Sequence, residues 1–407
     1  VSAPGARLDL ESLGLERGGH LLVLRALRSV GVGGTVSVHG TAPDLALHLA
    51  VFAREGGHHW APASARDRDP TLAGTLTAGP ALDARLRGAS RAGAARDDRT
   101  DDGVRPRAEP RWGLAARGAL VEAGGPAWDF SLDDKSVVWA EEAARLYAQA
   151  AASQWDPATV IPWSAPLEHP RPVEDAVVQV MTYLIENENA ALLVPARFLG
   201  RIHPHYREVV QLMAVQLADE ARHVEVFTRR ALLASDALGL STTGGQRSLQ
   251  TLFEVDDFVG ATVLLSVLGE GSFVDLLWFL HEHAPDPVTR AIAQWTARDE
   301  SRHVAAGMAH VGWAFEREPA ERARVRLAIE QRHAALQHTS GLNAEVFDAL
   351  VLLAAGGFSP EDVARGYNAV LALSQRMHDG RARRLERLGF DRDAAGALAG
   401  LHTRNFM

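Results

Sequence analysis

Apolar spacing divides the chain into two textures. In residues 1–62, short apolar runs alternate with polar positions and glycine turns. Leu8-Asp9-Leu10 reads as a strand, His20–Val30 has helical spacing, Gly34–His39 reads as a strand after a glycine turn, and Pro43–Arg54 as a second helix. Residues 63–131 lack a sustained period and read as a linker with short strands allowed around Leu114–Val121. Its Asp97–Gly103 stretch carries no apolar pattern and reads as solvated and mobile. From 132 to 407 the spacing becomes helical. Ser136–Ser153 predicts one helix, and four long helices follow, opened by Pro172, by Pro204, after Asp256-Asp257, and at Asp286-Pro287. Further helices are expected over Glu321–His338, Ala344–Ala355 and Ser359–Leu388, with no strand after 132. The expected fold is mainly α: a four-helix bundle with extra C-terminal helices, preceded by a small α/β domain.

The helical faces carry acids where apolar side chains belong. Glu220 and His223 share a face with Val209, Met213, Gln216 and Phe227. Glu300 and His303 share one with Ile292, Ala293, Thr296 and Val304. Glu270 stands alone in an apolar run from Phe258 to Leu280. A buried carboxylate is costly unless paired or metal-bound. The first long helix offers Glu186 and Glu188. Glu188 shares its face with Val177, Met181, Leu184 and Ala191 and is preferred over Glu186, whose neighbours Gln179, Thr182 and Arg197 are polar.

Two of these acids belong to a repeated word, Asp219-Glu220-Ala221-Arg222-His223 and Asp299-Glu300-Ser301-Arg302-His303. Each sets a carboxylate and an imidazole three residues apart, one helical turn on one face. Two Glu-x-x-His motifs and one further Glu from each of two other helices make a dinuclear ligand set. Asp219 and Asp299 lie four residues before the histidines and can orient them directly or across the pair, with Arg222 and Arg302 as partners for the aspartates. Four carboxylates balance two divalent ions, and oxygen with imidazole donors suits iron or manganese.

Composition narrows the chemistry. The 407 residues hold no cysteine, which removes disulfides, thiolate zinc, iron–sulfur clusters and thiol nucleophiles. A net charge of −9 argues against a nucleic-acid partner. No apolar run is read as long enough to cross a bilayer, so no membrane partner and a cytoplasmic location are expected. Gly269 and Gly271 flank Glu270 and signal either space, for a substrate channel or for a bulge that moves the carboxylate, or close helix packing. His203, His205, His281 and His283 read as surface or cap residues. Tyr183 and the tryptophans 139, 155, 163, 278 and 295 read as packing, and Arg381, Arg383, Arg384 and Arg387 as a wet helix face.

The two Asp-Glu-x-Arg-His words resemble those of the ferritin-like di-iron carboxylate superfamily, and are similar within it to acyl-carrier-protein desaturases and bacterial multicomponent monooxygenases. The resemblance spans 132–310. It implies that Glu188, Glu220 and His223 serve one metal and Glu270, Glu300 and His303 the other, with bridges from the Glu-x-x-His motifs and two Fe ions, or Mn/Fe, as cofactor. It implies a dinuclear non-haem iron oxygenase that uses O2 to oxidise a small or medium organic substrate by hydroxylation, desaturation or N-oxygenation. The chain has no cysteine and no dinucleotide fingerprint, so an external reductase or ferredoxin is expected; a homodimer is allowed. The alternatives are ferritin- or rubrerythrin-like handling of iron or peroxide, and a non-enzymatic binding protein that retains the bundle. Separately, Gly14-Leu15, Gly33–Val38 and Gly57-His58 resemble the TusA-type sulfur-relay proteins. Their Cys-Pro-x-Pro positions read Arg17-Gly18-Gly19-His20, so the sulfur-carrying thiol is missing.

Overall fold

The computed structural model describes residues 5–80, 86–93, 103–336 and 344–402. The Asp97–Gly103 reading, apart from Gly103, lies outside the described residues, as do the last two residues of the helix expected to end at His338. Two compact units are present, Val1–Arg91 with Leu120–Pro126, and Ala92–Ala119 with Ala127–Met407.

The first unit is α/β. Strands β1 (Gly5–Asp9), β2 (Thr35–His39), β3 (His59–Pro62) and β4 (Leu72–Thr77) form a sheet of order β1-β2-β4-β3. β1 and β2 are parallel, and β4 runs antiparallel to both β2 and β3. Helices α1 (Gly19–Val30) and α2 (Leu45–Glu55) bury Val23, Leu27, Leu45, Leu49 and Ala53 with Val36, Val38 and Leu76 of the sheet. β4 falls inside the stretch read as linker. Its sequence, Leu-Ala-Gly-Thr-Leu-Thr, sends only Leu76 deep into the core, too little apolar alternation to announce a strand. The strand expected over Leu114–Val121 shrinks to β6 (Leu120–Val121), paired with β5 (Ser90–Arg91).

The second unit is helical. The helix expected over Ser136–Ser153 is broken into α3 (Lys135–Val138) and α4 (Ala143–Ala152). Trp139 turns extended between them, and its carbonyl accepts from His310 Nδ1 at 2.9 Å, a tertiary bond that replaces the helical one. After the single turn α5 (Pro157–Val160) come the bundle helices α6 (Arg171–Leu199) and α7 (Arg207–Ala231). A helix the sequence did not announce, α8 (Thr243–Phe253), precedes the third bundle element. That element is composite: α9 (Phe258–Thr262), a π-helical segment Val263–Glu270, and α10 (Gly271–Glu282). The fourth is α11 (Pro287–Arg317), with Asp286 capping its start by accepting from the Thr289 amide. α12 (Glu321–Leu336), α13 (Ala344–Ala355), α14 (Pro360–Arg387) and α15 (Arg392–His402) follow, and α15 was also unannounced. No strand follows residue 132 among the described residues.

One expectation about apolar runs is corrected. Phe258–Glu282 is long and apolar enough to cross a membrane by length and composition. Here 83% of its most apolar window is buried inside the protein, and Glu270 sits within it, so it is a core helix of the bundle.

Candidate metal centre

All six expected side chains converge in the middle of the bundle. Glu188 comes from α6, Glu220 and His223 from α7, Glu270 from the end of the π segment, and Glu300 and His303 from α11. All are buried, Glu220 and His223 completely. Glu186 is half-buried and stays outside the cluster, because two residues beyond Leu184 turn it roughly 200° from the α6 face that carries Val177, Met181 and Leu184 inward.

Two overlapping sets of donors form. Glu188, Glu220, His223 and Glu300 offer atoms within 4.8 Å of one another, and so do Glu220, Glu270, Glu300 and His303. Glu220 and Glu300 belong to both sets, the placement a bridging carboxylate needs. His223 Nδ1 lies 3.0 Å from Glu220, 3.5 Å from Glu188 and 3.4 Å from Glu300. His303 Nδ1 lies 2.9 Å from Glu220 and 3.5 Å from Glu300.

The far nitrogens are held across the pair. His223 Nε2 is 3.2 Å from Asp299, and His303 Nε2 is 3.3 Å from Asp219. An ionised carboxylate only accepts, so each Nε2 carries a proton, which leaves Nδ1 as the atom that faces the glutamates and would bind a metal once its own proton is lost. Arg222 binds Asp219 and reaches Asp299 at 3.0 Å; Arg302 binds Asp299 and reaches Asp219 at 3.6 Å. The two half-sites are thus laced by a ring of alternating charges. Two contributors escaped the sequence reading. Trp155 Nε1 donates to Asp299 at 2.7 Å, and Gln154 Nε2 donates to Asp219 at 2.8 Å. Both sit in the loop after α4, where no periodicity marks them. Gln216 Nε2 donates to Glu270 at 3.3 Å.

The electrostatics describe a site that gathers positive charge. Burial raises the Glu188 carboxyl well above its usual range, reinforced by Glu300 and Glu220. Burial and Glu300 do the same to Glu270. Burial also works against Glu220, but His303 and His223 outweigh it and hold that carboxyl low. Burial disfavours both imidazolium forms, yet Glu188 at His223 and Glu220 at His303 raise them well above the ordinary histidine value. Acids and imidazoles compete for shared protons, and a pair of dications would take the place of those protons. Orphaned atoms mark the same place: Glu188 Oε1, Glu220 Oε1, Glu270 Oε2, both Glu300 oxygens and His303 Nδ1 are buried without a hydrogen-bond partner. Buried polar atoms seldom stay unpaired, and the donor set fits two cations of the iron or manganese type.

The π segment decides where Glu270 sits. The Gly271 amide reaches the Ser266 carbonyl, five residues back, so the helix widens just before the ligand. Arg384 of α14 donates from Nε to the Val267 carbonyl at 2.7 Å. A Cβ on Gly271 would collide with that guanidinium. Of the readings of the glycine pair, the bulge and the close approach both operate, and the space at Gly271 is taken by Arg384 rather than left as a channel. The wet-face reading holds for Arg383 and Arg387, which are exposed, and is corrected for Arg384 and for Arg381, which is buried and bonds Ser272 Oγ at 2.9 Å, because α14 packs against α10. His203 and His205 are buried, but His203 is a cap as expected: it caps the turn Pro204–Tyr206, its Nδ1 accepting from the His205 amide at 3.1 Å, while His205 Nε2 accepts from the Arg105 amide at 2.8 Å.

Two hollows adjoin the centre. A pocket of about 10 Å³ is lined by Asn187, Glu188, Leu265, Glu270, Phe273 and Glu300. A largely apolar cavity of about 60 Å³ includes Val194, Phe198, Met213, Gln216, Leu265 and His310 in its wall. Leu265, on the π segment, belongs to both walls.

No protein-family model and no curated protein matches the chain. Among solved structures, it is similar to a Synechococcus protein with aldehyde deformylating oxidase activity, at 19% identity over 56% of this chain and 96% of that one, with a TM-score of 0.41. It is also similar to an R2-like ligand-binding oxidase with a Mn/Fe cofactor (18% identity, 61% and 93% covered, TM-score 0.43). The R2-like ligand-binding oxidase of Sulfolobus acidocaldarius matches at 17% identity, with 58% and 90% covered and a TM-score of 0.41.

Proposed function

We propose that the chain is an O2-dependent oxidase or oxygenase with a dinuclear metal centre, acting on a small or medium organic molecule. The observation that carries this reading is the pair of donor sets sharing Glu220 and Glu300. Glu188 and His223 would complete one metal position, and Glu270 and His303 the other. Two iron ions, or one manganese and one iron, would supply activation of dioxygen there, with electrons from a separate reductase or ferredoxin.

The protein's own side chains do the rest. Asp299 and Asp219 fix the imidazole tautomers, and Arg222 and Arg302 keep those aspartates ionised and in place. Burial alone would raise both aspartates, but the opposed histidines outweigh it and hold them below the usual carboxylate range. Gln216 turns one Glu270 oxygen toward α7. Leu265, Phe273 and Ala191 exclude water from the Glu188–Glu270 side. The apolar cavity behind Leu265 suits a nonpolar body better than a charged one.

Metal analysis of the purified chain tests the reading, followed by anaerobic reduction and oxygen-uptake measurement. Two metals per chain and stoichiometric O2 consumption on reduction are expected. Iron loaded far beyond two per chain would indicate storage instead. A chain without stoichiometric iron or manganese that takes up no oxygen would be a binding protein.

A further inference from the structure

Arg332 of α12 is a buried charge without a counter-charge. Its side chain is 4% exposed. The other buried arginines of the helical unit are differently placed: Arg117 pairs with Glu208, Arg230 with Glu174 and Asp286, and Arg381 lies within the field of Asp275. Arg332 has only neutral partners on α8. Nε donates to Thr251 Oγ1 at 2.9 Å, and Nη2 to the Ser248 hydroxyl and carbonyl at 3.3 and 3.4 Å. Among the described residues no acid forms an ion pair with it, and Nη1 has no partner at all. Burying a guanidinium this way is unfavourable unless something else brings the negative charge.

The neighbouring orphans lead from Arg332 to the metal centre. The Tyr183 hydroxyl is buried without a partner and lies within the field of Arg332. Glu186, on the same helix, acts on that phenol yet makes no ion pair with Arg332. One turn along α6, Asn187 Oδ1 is also unpartnered, and Asn187 lines the small pocket with Glu188 and Glu270. The Tyr183 ring packs 5.9 Å from Phe273, which lines the same pocket.

We propose that Arg332, with the Tyr183 hydroxyl, is an anion seat that binds the carboxylate of a small monocarboxylic acid, whose body runs along Tyr183 and Phe273 toward the metal pocket. The free Nη1 amino group and one hydroxyl match a carboxylate; a phosphate dianion would call for more cationic donors. The flanking aromatic rings favour a flat or short apolar body. That this acid is the molecule oxidised rests on the dinuclear reading above; the anion seat itself does not.

Calorimetric titration of the metal-loaded full chain with benzoate, and with benzamide as its neutral isostere, tests the seat. Benzoate is expected to bind at least tenfold more tightly than benzamide. Arg332→Met should abolish that preference, Arg332→Lys should keep it at lower affinity, and Tyr183→Phe should weaken benzoate several-fold. Each variant should retain two metals per chain. Because Arg332 is unpaired in the free protein, Arg332→Met should hold or raise the thermal midpoint, and benzoate should raise the midpoint of the unaltered chain alone. Benzoate affinity unchanged in Arg332→Met would place the carboxylate on the metals and overturn the proposal. So would equal binding of benzoate and benzamide by the unaltered chain, or binding of neither. If the chain binds no metal yet still prefers benzoate, the anion seat stands and the dinuclear reading falls.

Discussion

Asp219 and Asp299 each serve the histidine of the opposite motif, and this crossing is what makes two half-sites into one centre. Asp299 accepts from His223, Trp155 and both arginines. Asp299→Asn removes the charge that Arg222 and Arg302 share and one of the acceptor positions. Partners of this kind typically change metal affinity about 10–100-fold, and a loss in that range is expected on the His223 side, read by metal titration; unaltered affinity would show that the crossing is incidental. The six converging side chains were readable because each interrupts an apolar face. Spacing left the direction of the aspartate bonds open between same-motif and cross-pair. Trp155 and Gln154 had no pattern to betray them, since only folding carries the loop after α4 to the aspartates.

At the scale of the element, the π segment is the informative departure. Glycine beside a core ligand signalled room, but not what fills it. What fills it is Arg384, one of the basic residues read as a wet face, reaching across from α14 to the Val267 carbonyl. Gly271→Ala would ordinarily gain about 1 kcal/mol of helix propensity. Here the new methyl displaces Arg384 and strands a buried carbonyl, which costs about 1–3 kcal/mol. The variant should therefore unfold at lower denaturant and lose affinity for the Glu270-side metal selectively, measured as a weakened second step in a metal titration. A stabilised variant with both steps intact would mean that Arg384 does not hold the bulge. The break between α3 and α4 has the same origin: His310, far along the chain, takes the Trp139 carbonyl from its helical partner.

Across the whole helical unit, Arg230 ties three helices together away from the metal centre. It binds Glu174 of α6 at 2.7 and 2.9 Å, and Asp286 at the start of α11 at 2.7 Å, from its own place on α7. Burial would raise both acids, but the Arg230 hydrogen bonds outweigh it and hold them below their ordinary values of 4.5 and 3.8. Their contribution to stability is therefore complete above about pH 4.5 and is lost as pH falls through the lower folded values. Arg230→Met leaves Glu174 with only His169 and Asp286 with only Thr289, and should cost about 3–5 kcal/mol at pH 7. The penalty should shrink below pH 4 as the acids protonate, and denaturant titrations at pH 7 and pH 3.5 read the difference. A penalty independent of pH would assign Arg230 a packing role only.

The sequence alone determined the helical texture after residue 132, the acids that interrupt apolar faces, and the paired motifs, because period and burial are local properties of the chain. Tertiary structure decided which acids belong to both donor sets, which aspartate serves which histidine, where the third helix widens, and that Arg332 lies buried with no ion pair among the described residues. Those outcomes depend on side chains far apart in sequence meeting in one low-dielectric interior, where an unmatched charge or carbonyl must find a partner that spacing along the chain cannot name.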